Sequence, residues 1–123
     1  TGALDGEAAK ARLTDGWERF ALEDLGVRCV EDEPWVTASE TAECAIAFAA
    51  IGDLATATDL LRWTRAHRLD AGAYWTGIVY PGVDLFPGGE HTSYTAAAVI
   101  LAADAITGAS PAADLFVARS TLA

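Results

Sequence analysis

Apolar residues recur along this chain mostly at the three-to-four-residue spacing of helices that each bury one face. Between Asp5 and Leu25 the positions Leu13, Trp17, Phe20 or Ala21, and Leu25 fall on one stripe. Gly26 follows as a stop. This predicts an amphipathic first helix, with Gly16 lowering its intrinsic propensity. The stretch from Val27 to Val36 carries Glu31, Asp32, Glu33 and Pro34 and reads as a loop, since the residue before a proline is biased away from helix. Thr37-Ala38-Ser39-Glu40 then has the Thr-x-x-Glu spacing of a capping box, predicting a second helix from about Ala38 to Ile51. Gly52 supplies a left-handed C-terminal position and Asp53 an immediate cap for a third helix reaching about Arg68, so Thr37 to Arg68 reads as one tight antiparallel hairpin. Arg65, His67 and Arg68 fall in its last turn, where positive charge complements the helix dipole. Trp63 and His67 share a face with Leu60, which predicts a hairpin contact with His67 held by a backbone carbonyl.

Residues 69–91 break the pattern. They are rich in glycine, proline and aromatics with no sustained helical period, and read as one long loop, either functional or packed by its own side chains. Thr92 to Thr107 is a fourth helix, apolar nearly all round from Ala96 to Ala103 and closed by Gly108 and Pro111; a short amphipathic tail follows from Ala112 to Leu122. A helix without a polar face is normally surrounded by others. Cys44 to Ile51 is similarly apolar, and four helices with a short tail are too few to enclose both runs. The pattern therefore predicts an all-α fold of antiparallel helical hairpins in one domain, residues 1–123. Its partner is expected to be the remainder of a larger chain or a second copy of itself. The absence of methionine and of a basic, then apolar, leader among Thr1 to Asp5 points the same way, to a processed chain or a piece of a longer one.

Charge narrows the partners. The net charge of −10 is divided unevenly, with 13 acidic and 4 basic residues through Leu61 and 5 and 4 after it. A phosphate backbone would be repelled, so no nucleic-acid partner is expected. The longest apolar runs fall well short of the roughly 20 residues a membrane span needs. Two cysteines, Cys29 and Cys44, without Cys-x-x-Cys spacing, point to a reduced, cytoplasmic setting.

The hairpins with a Gly-rich aromatic loop after each second helix, and the stretch Leu61 to Trp75 in particular, resemble the repeat of the α/α-toroid superfamily of terpenoid cyclases and protein prenyltransferases. Here His67 or Arg68 stands where that repeat has Gln, and Ala71 separates Asp70 from Gly72. The resemblance implies a piece of a toroid lining an apolar, isoprenoid-holding cavity. His91-Thr92-Ser93-Tyr94 is similar to the His-Thr-x-Tyr of prenyltransferase β subunits, in which the His binds zinc. The matching Asp-x-Cys would fall at Asp32-Glu33-Pro34, where proline replaces the thiolate, so no metal and no other cofactor is expected. The Asp-rich motifs of cyclases are also missing, and the sequence by itself establishes no catalytic activity.

Toroid glycosidases offer a second reading, and glycoside hydrolysis needs paired carboxylates beside the sugar. Asp70, Asp84 and Glu90 lie among aromatics that could stack on a saccharide. The candidate ligand-binding residues are accordingly Tyr74, Trp75, Tyr80, Phe86, Glu90, His91 and Tyr94, for an isoprenoid or a sugar. A non-enzymatic helical scaffold is the third reading. Neither cysteine has a histidine at a recognisable spacing and there is no Gly-x-Ser-x-Gly elbow, which leaves nucleophilic catalysis without support.

Overall fold

The computed structural model describes residues 5–117. Residues 118–122 of the expected amphipathic tail lie outside them. The fold is not all-α: four α-helices pack with a five-stranded antiparallel sheet, in the strand order β1-β2-β3-β4-β5. This also overturns the toroid reading.

Helix α1 spans Gly6–Phe20, capped by the Asp5 carboxylate on the Ala8 N–H. It ends earlier than Leu25 because Ala21–Leu22 extends as β1 and turns back through Asp24, at φ 62°, into β2, Gly26–Arg28. Gly26 is thus not a helix stop. It opens a strand at φ 133°, where a Cβ would lie 2.4 Å from the Thr41 hydroxyl. Strand β3, Trp35–Thr37, pairs with β2 through Val27 with Thr37 and Arg28 with Val36, so the acidic stretch expected to be wholly loop is a hairpin connection flanked by strands.

The chain then leaves the sheet. Helix α2 runs Ala38–Ala50 and α3 Leu54–Trp63, with a tight turn at Gly52 and Asp53, whose carboxylate accepts from the Thr56 N–H at 3.1 Å. The third helix stops short of Arg68, since Thr64–His67 tightens to 3-10 geometry. The chain returns to the sheet as β4, Gly77–Val79, beside β3, and continues into β5, Asp84–Phe86. Both strands lie inside the segment expected to be an irregular loop. Helix α4, Ser93–Thr107, is capped by Thr92 on the Thr95 N–H and closed by Gly108 at φ 64°; a 3-10 turn, Pro111–Leu115, follows.

The core lies between α2, α3 and α4, where Ala42, Ala45, Phe48, Ala57, Leu60, Trp63 and Ala102 are buried. Small side chains on α2 and α4 allow these helices a close approach. Trp17 reaches in from α1, edge-on to Phe48 at 5.4 Å and tilted on Trp63 at 5.8 Å. Helix α4 is not surrounded: Tyr94, Ala97 and Ile100 stand exposed on one side of it. Among the described residues no helix is long and apolar enough to cross a membrane.

Candidate functional site

The junction of β3 with α2 places a carboxylate in a set position. Thr37 and Ser39 both donate their hydroxyls to Oε2 of the half-buried Glu40, the latter at 2.6 Å. The expected capping box therefore closes differently, with the Thr37 hydroxyl on the Glu40 side chain and no Thr37 side-chain bond to the helix backbone. Burial pushes the Glu40 carboxyl up, but the Ser39 and Thr37 hydroxyls and its own backbone N–H outweigh it and hold it below the ordinary glutamate value. Glu40 is an ionised acceptor at neutral pH. Glu43 lies three residues on, on the same side of the helix, and its Oε1 accepts from the Tyr94 hydroxyl in the first turn of α4. That bond and the Glu43 charge raise the Tyr94 phenol, with a further contribution from the Glu40 charge, so both carboxylates act on one exposed phenol.

The strand-β4 entry joins this end of the molecule. The Ala38 N–H donates to the Thr76 carbonyl at 3.1 Å, and the Thr76 N–H to the Glu90 carbonyl at 2.8 Å. The Thr76 hydroxyl also donates to Glu90 Oε2 at 3.0 Å, and the His91 ring meets Trp75 edge-on at 5.6 Å. These bonds tie the start of α2 to Thr76 and Glu90 and to the first turn of α4, and so place the four segments side by side along one rim.

Of the residues singled out from the sequence, Trp75, Glu90, His91 and Tyr94 come to this rim. Phe86 stacks on Trp35 at 4.6 Å with 14° between the rings, on the sheet face shared by Thr37 through the Thr37, Gly77, Phe86 register. Gly77 is required there: an added Cβ would lie 2.5 Å from the Val36 carbonyl oxygen. Tyr80 lies elsewhere, its ring under the Arg28 guanidinium at 5.9 Å. Tyr74 packs against the core and bridges Arg68. Asp70 and Asp84 are exposed and outside this group. Sequence reasoning missed Trp35, Glu40 and Glu43. The three-residue spacing of the two glutamates on one helix was the available signal, and Glu40 was assigned to a cap instead.

Neither thiol is an activated nucleophile. Burial, followed by the Glu40 charge, raises Cys29, and burial raises Cys44 to about 11. Among the described residues no three His, Cys, Asp or Glu side chains form a metal-holding group. Two clefts flank α1, one of about 420 Å³ against β2 and α2 and one of about 810 Å³ toward Phe48 and Thr56. None of the residues nominated from the sequence lines either cleft.

The chain is similar to a mannosidase. It is 46% identical over 115 residues to the MMP endo-(1,4)-3-O-methyl-alpha-D-mannosidase of Mycolicibacterium hassiacum, a match that covers 94% of this chain and 32% of that enzyme. The chain therefore spans about a third of the length of the relative it matches. No protein-family profile matches it. A carbohydrate-active relative replaces the prenyltransferase and terpenoid-cyclase resemblance, and with it the isoprenoid reading. The motifs behind that resemblance have local explanations here: Thr92 of the His-Thr-x-Tyr run caps α4, and the Gly-aromatic stretch after His67 builds the entry to β4.

Proposed function

We propose that this chain is part of a glycoside hydrolase that cleaves internal (1,4) linkages in an α-linked 3-O-methylmannose polymer, with the rim formed by the starts of α2 and α4 facing the sugar. The observation that carries this is the 46% identity to an enzyme of that activity over nearly the whole chain. The rim adds chemical support. Glycoside hydrolysis needs one carboxylic acid to protonate the leaving oxygen and one carboxylate to act as base or nucleophile. Glu40, held ionised by two hydroxyls, fits the second role. Glu43 and Glu90, each accepting from a hydroxyl, are carboxylates of the kind that bind sugar hydroxyls directly. Trp75 supplies an apolar ring face of the kind that packs against a pyranose.

The test is to incubate the chain with (1,4)-linked 3-O-methyl-α-mannose oligosaccharides, following internal cleavage by mass spectrometry and binding by calorimetry. Binding that weakens at least tenfold in Glu40→Gln with the fold intact supports the reading. The reading is overturned if the wild-type chain shows no binding and no cleavage.

A further inference from the structure

Helix α1 is the least embedded of the four α-helices among the described residues. It has no fully buried residue, and its contact with the core runs mainly through Leu13 and Trp17. The cleft it leaves against β2 and α2, about 420 Å³, is within the range of about 300–1,000 Å³ typical of small-molecule sites. Its inner lining is apolar: Trp17 and Phe20 from α1, Val27 from β2 and Cys44 from α2. Its edge is charged in both signs, with Arg19 donating to Asp15 at 2.9 Å and across the cleft to Glu31 at 3.3 Å. Arg12 adds a further exposed cation.

We propose that this cleft is a saccharide subsite that seats an O-methylated mannoside, with its methyl ether on the Trp17, Phe20 and Val27 lining and its hydroxyls at the Asp15, Arg19 and Glu31 edge. The proposal rests on the mannoside reading above and adds to it a place, on the other element pair, that distinguishes methylated from free sugar. Three features select this occupant. Carboxylates at the edge disfavour a plain anion despite the arginines. Donors and acceptors side by side match sugar hydroxyls, which are both. An apolar floor has nothing to offer a hydroxyl at position 3, whereas a methyl ether there removes a donor and adds a carbon to bury. The exposed Arg19 bridge is weak and screened by solvent, so a ligand can displace it without large cost.

One buried carbon, at the usual value for apolar transfer, corresponds to about a fourfold preference for the methylated sugar. The experiment is an amide NMR titration of the full chain with methyl 3-O-methyl-α-D-mannopyranoside and, separately, methyl α-D-mannopyranoside. The expected result is saturable shifts at Gly16, Ala21 and Val27, with the methylated probe about fourfold tighter. Phe20→Ala should abolish that preference, and Arg12→Gln, at an exposed position, should weaken both probes with the spectrum otherwise unchanged. Shifts confined to Glu40, Glu43 and Tyr94 would overturn the subsite and leave the proposed function standing. Shifts at the cleft with no cleavage of oligosaccharide and no effect of Glu40→Gln on binding would support the subsite while removing the role proposed for the rim. Equal affinity of the two probes, or no saturable shift anywhere, would overturn it.

Discussion

Acidification should loosen this fold through one side chain, His67. The imidazole is fully buried, and its Nε2 lies 2.7 Å from the Leu25 carbonyl oxygen. A carbonyl only accepts, so Nε2 carries the hydrogen and the neutral ring has its lone pair on Nδ1, which is buried and has no partner among the described residues. Protonation would put a charge and an unmatched donor there. Burial lowers the His67 pKa below 6.5, the Leu25 bond offsetting part of the effect. A folded value below the unfolded one means that the stabilisation is complete above about pH 6.5 and is lost as pH falls below it. If the ring stays neutral in the fold, unfolding at pH 5 gains at most about 2 kcal/mol from protonating the unfolded chain at an ordinary histidine pKa of about 6.5. Glu40 and Asp53, whose pKa values lie below the ordinary 4.5 and 3.8, lose their contributions only at lower pH and leave this window clear. Urea unfolding at pH 7.5 and pH 5.0, for wild type and for His67→Gln, measures the effect; glutamine can still donate to Leu25 but does not titrate. Wild type should lose up to about 2 kcal/mol more than the variant between the two pH values. An equal loss in both would refute the assignment to His67.

Gly77→Ala should destabilise by about 3 kcal/mol in the same assay, because its Cβ would lie 2.5 Å from backbone that cannot yield without separating β3 from β4. Thr41→Val should cost about 1–3 kcal/mol, since the buried hydroxyl accepts from the Val27 N–H at 2.9 Å and donates to the Thr37 carbonyl at 2.6 Å. Cys44, at about 11 against an ordinary 9.0, should be alkylated by iodoacetamide at pH 8 about a hundredfold more slowly than an ordinary thiol, and unfolding in urea should restore the rate. Replacing Ile100, which is 68% exposed on α4 beside Ala97, with Glu should reduce any self-association seen by light scattering while leaving the unfolding midpoint nearly unchanged.

The helices were legible because their ends carry local chemistry. Asp53, Thr92 and Gly108 act in the structure as their positions in the sequence imply, and a ten-residue run such as α3 is long enough to display its period. The sheet was not legible, since strands of two or three residues contain too little of a two-residue alternation to recognise. Their identity is set instead by distant partners: Val36 becomes strand by pairing with Ile78, far along the chain. The same omission hid the candidate site. Trp35 could not be placed against Phe86 without the register that stacks the two rings. Glu40 was legible only as a cap, because the choice of its side chain between backbone and hydroxyl partners is made in three dimensions.

The excursion of the chain between β3 and β4 has a kinetic meaning. Every other strand junction in this sheet joins near neighbours and can close locally, but the central seam must wait for α2 and α3 to fold back on each other and deliver Gly77 to Thr37. Closing a segment of that length costs only slowly growing entropy once it is preorganised, so the helical hairpin is the expected early event and the seam a late one. Because Glu40 and Thr76 flank that seam, the rim proposed to meet sugar would be the last part of the fold assembled and the first to come apart when it opens.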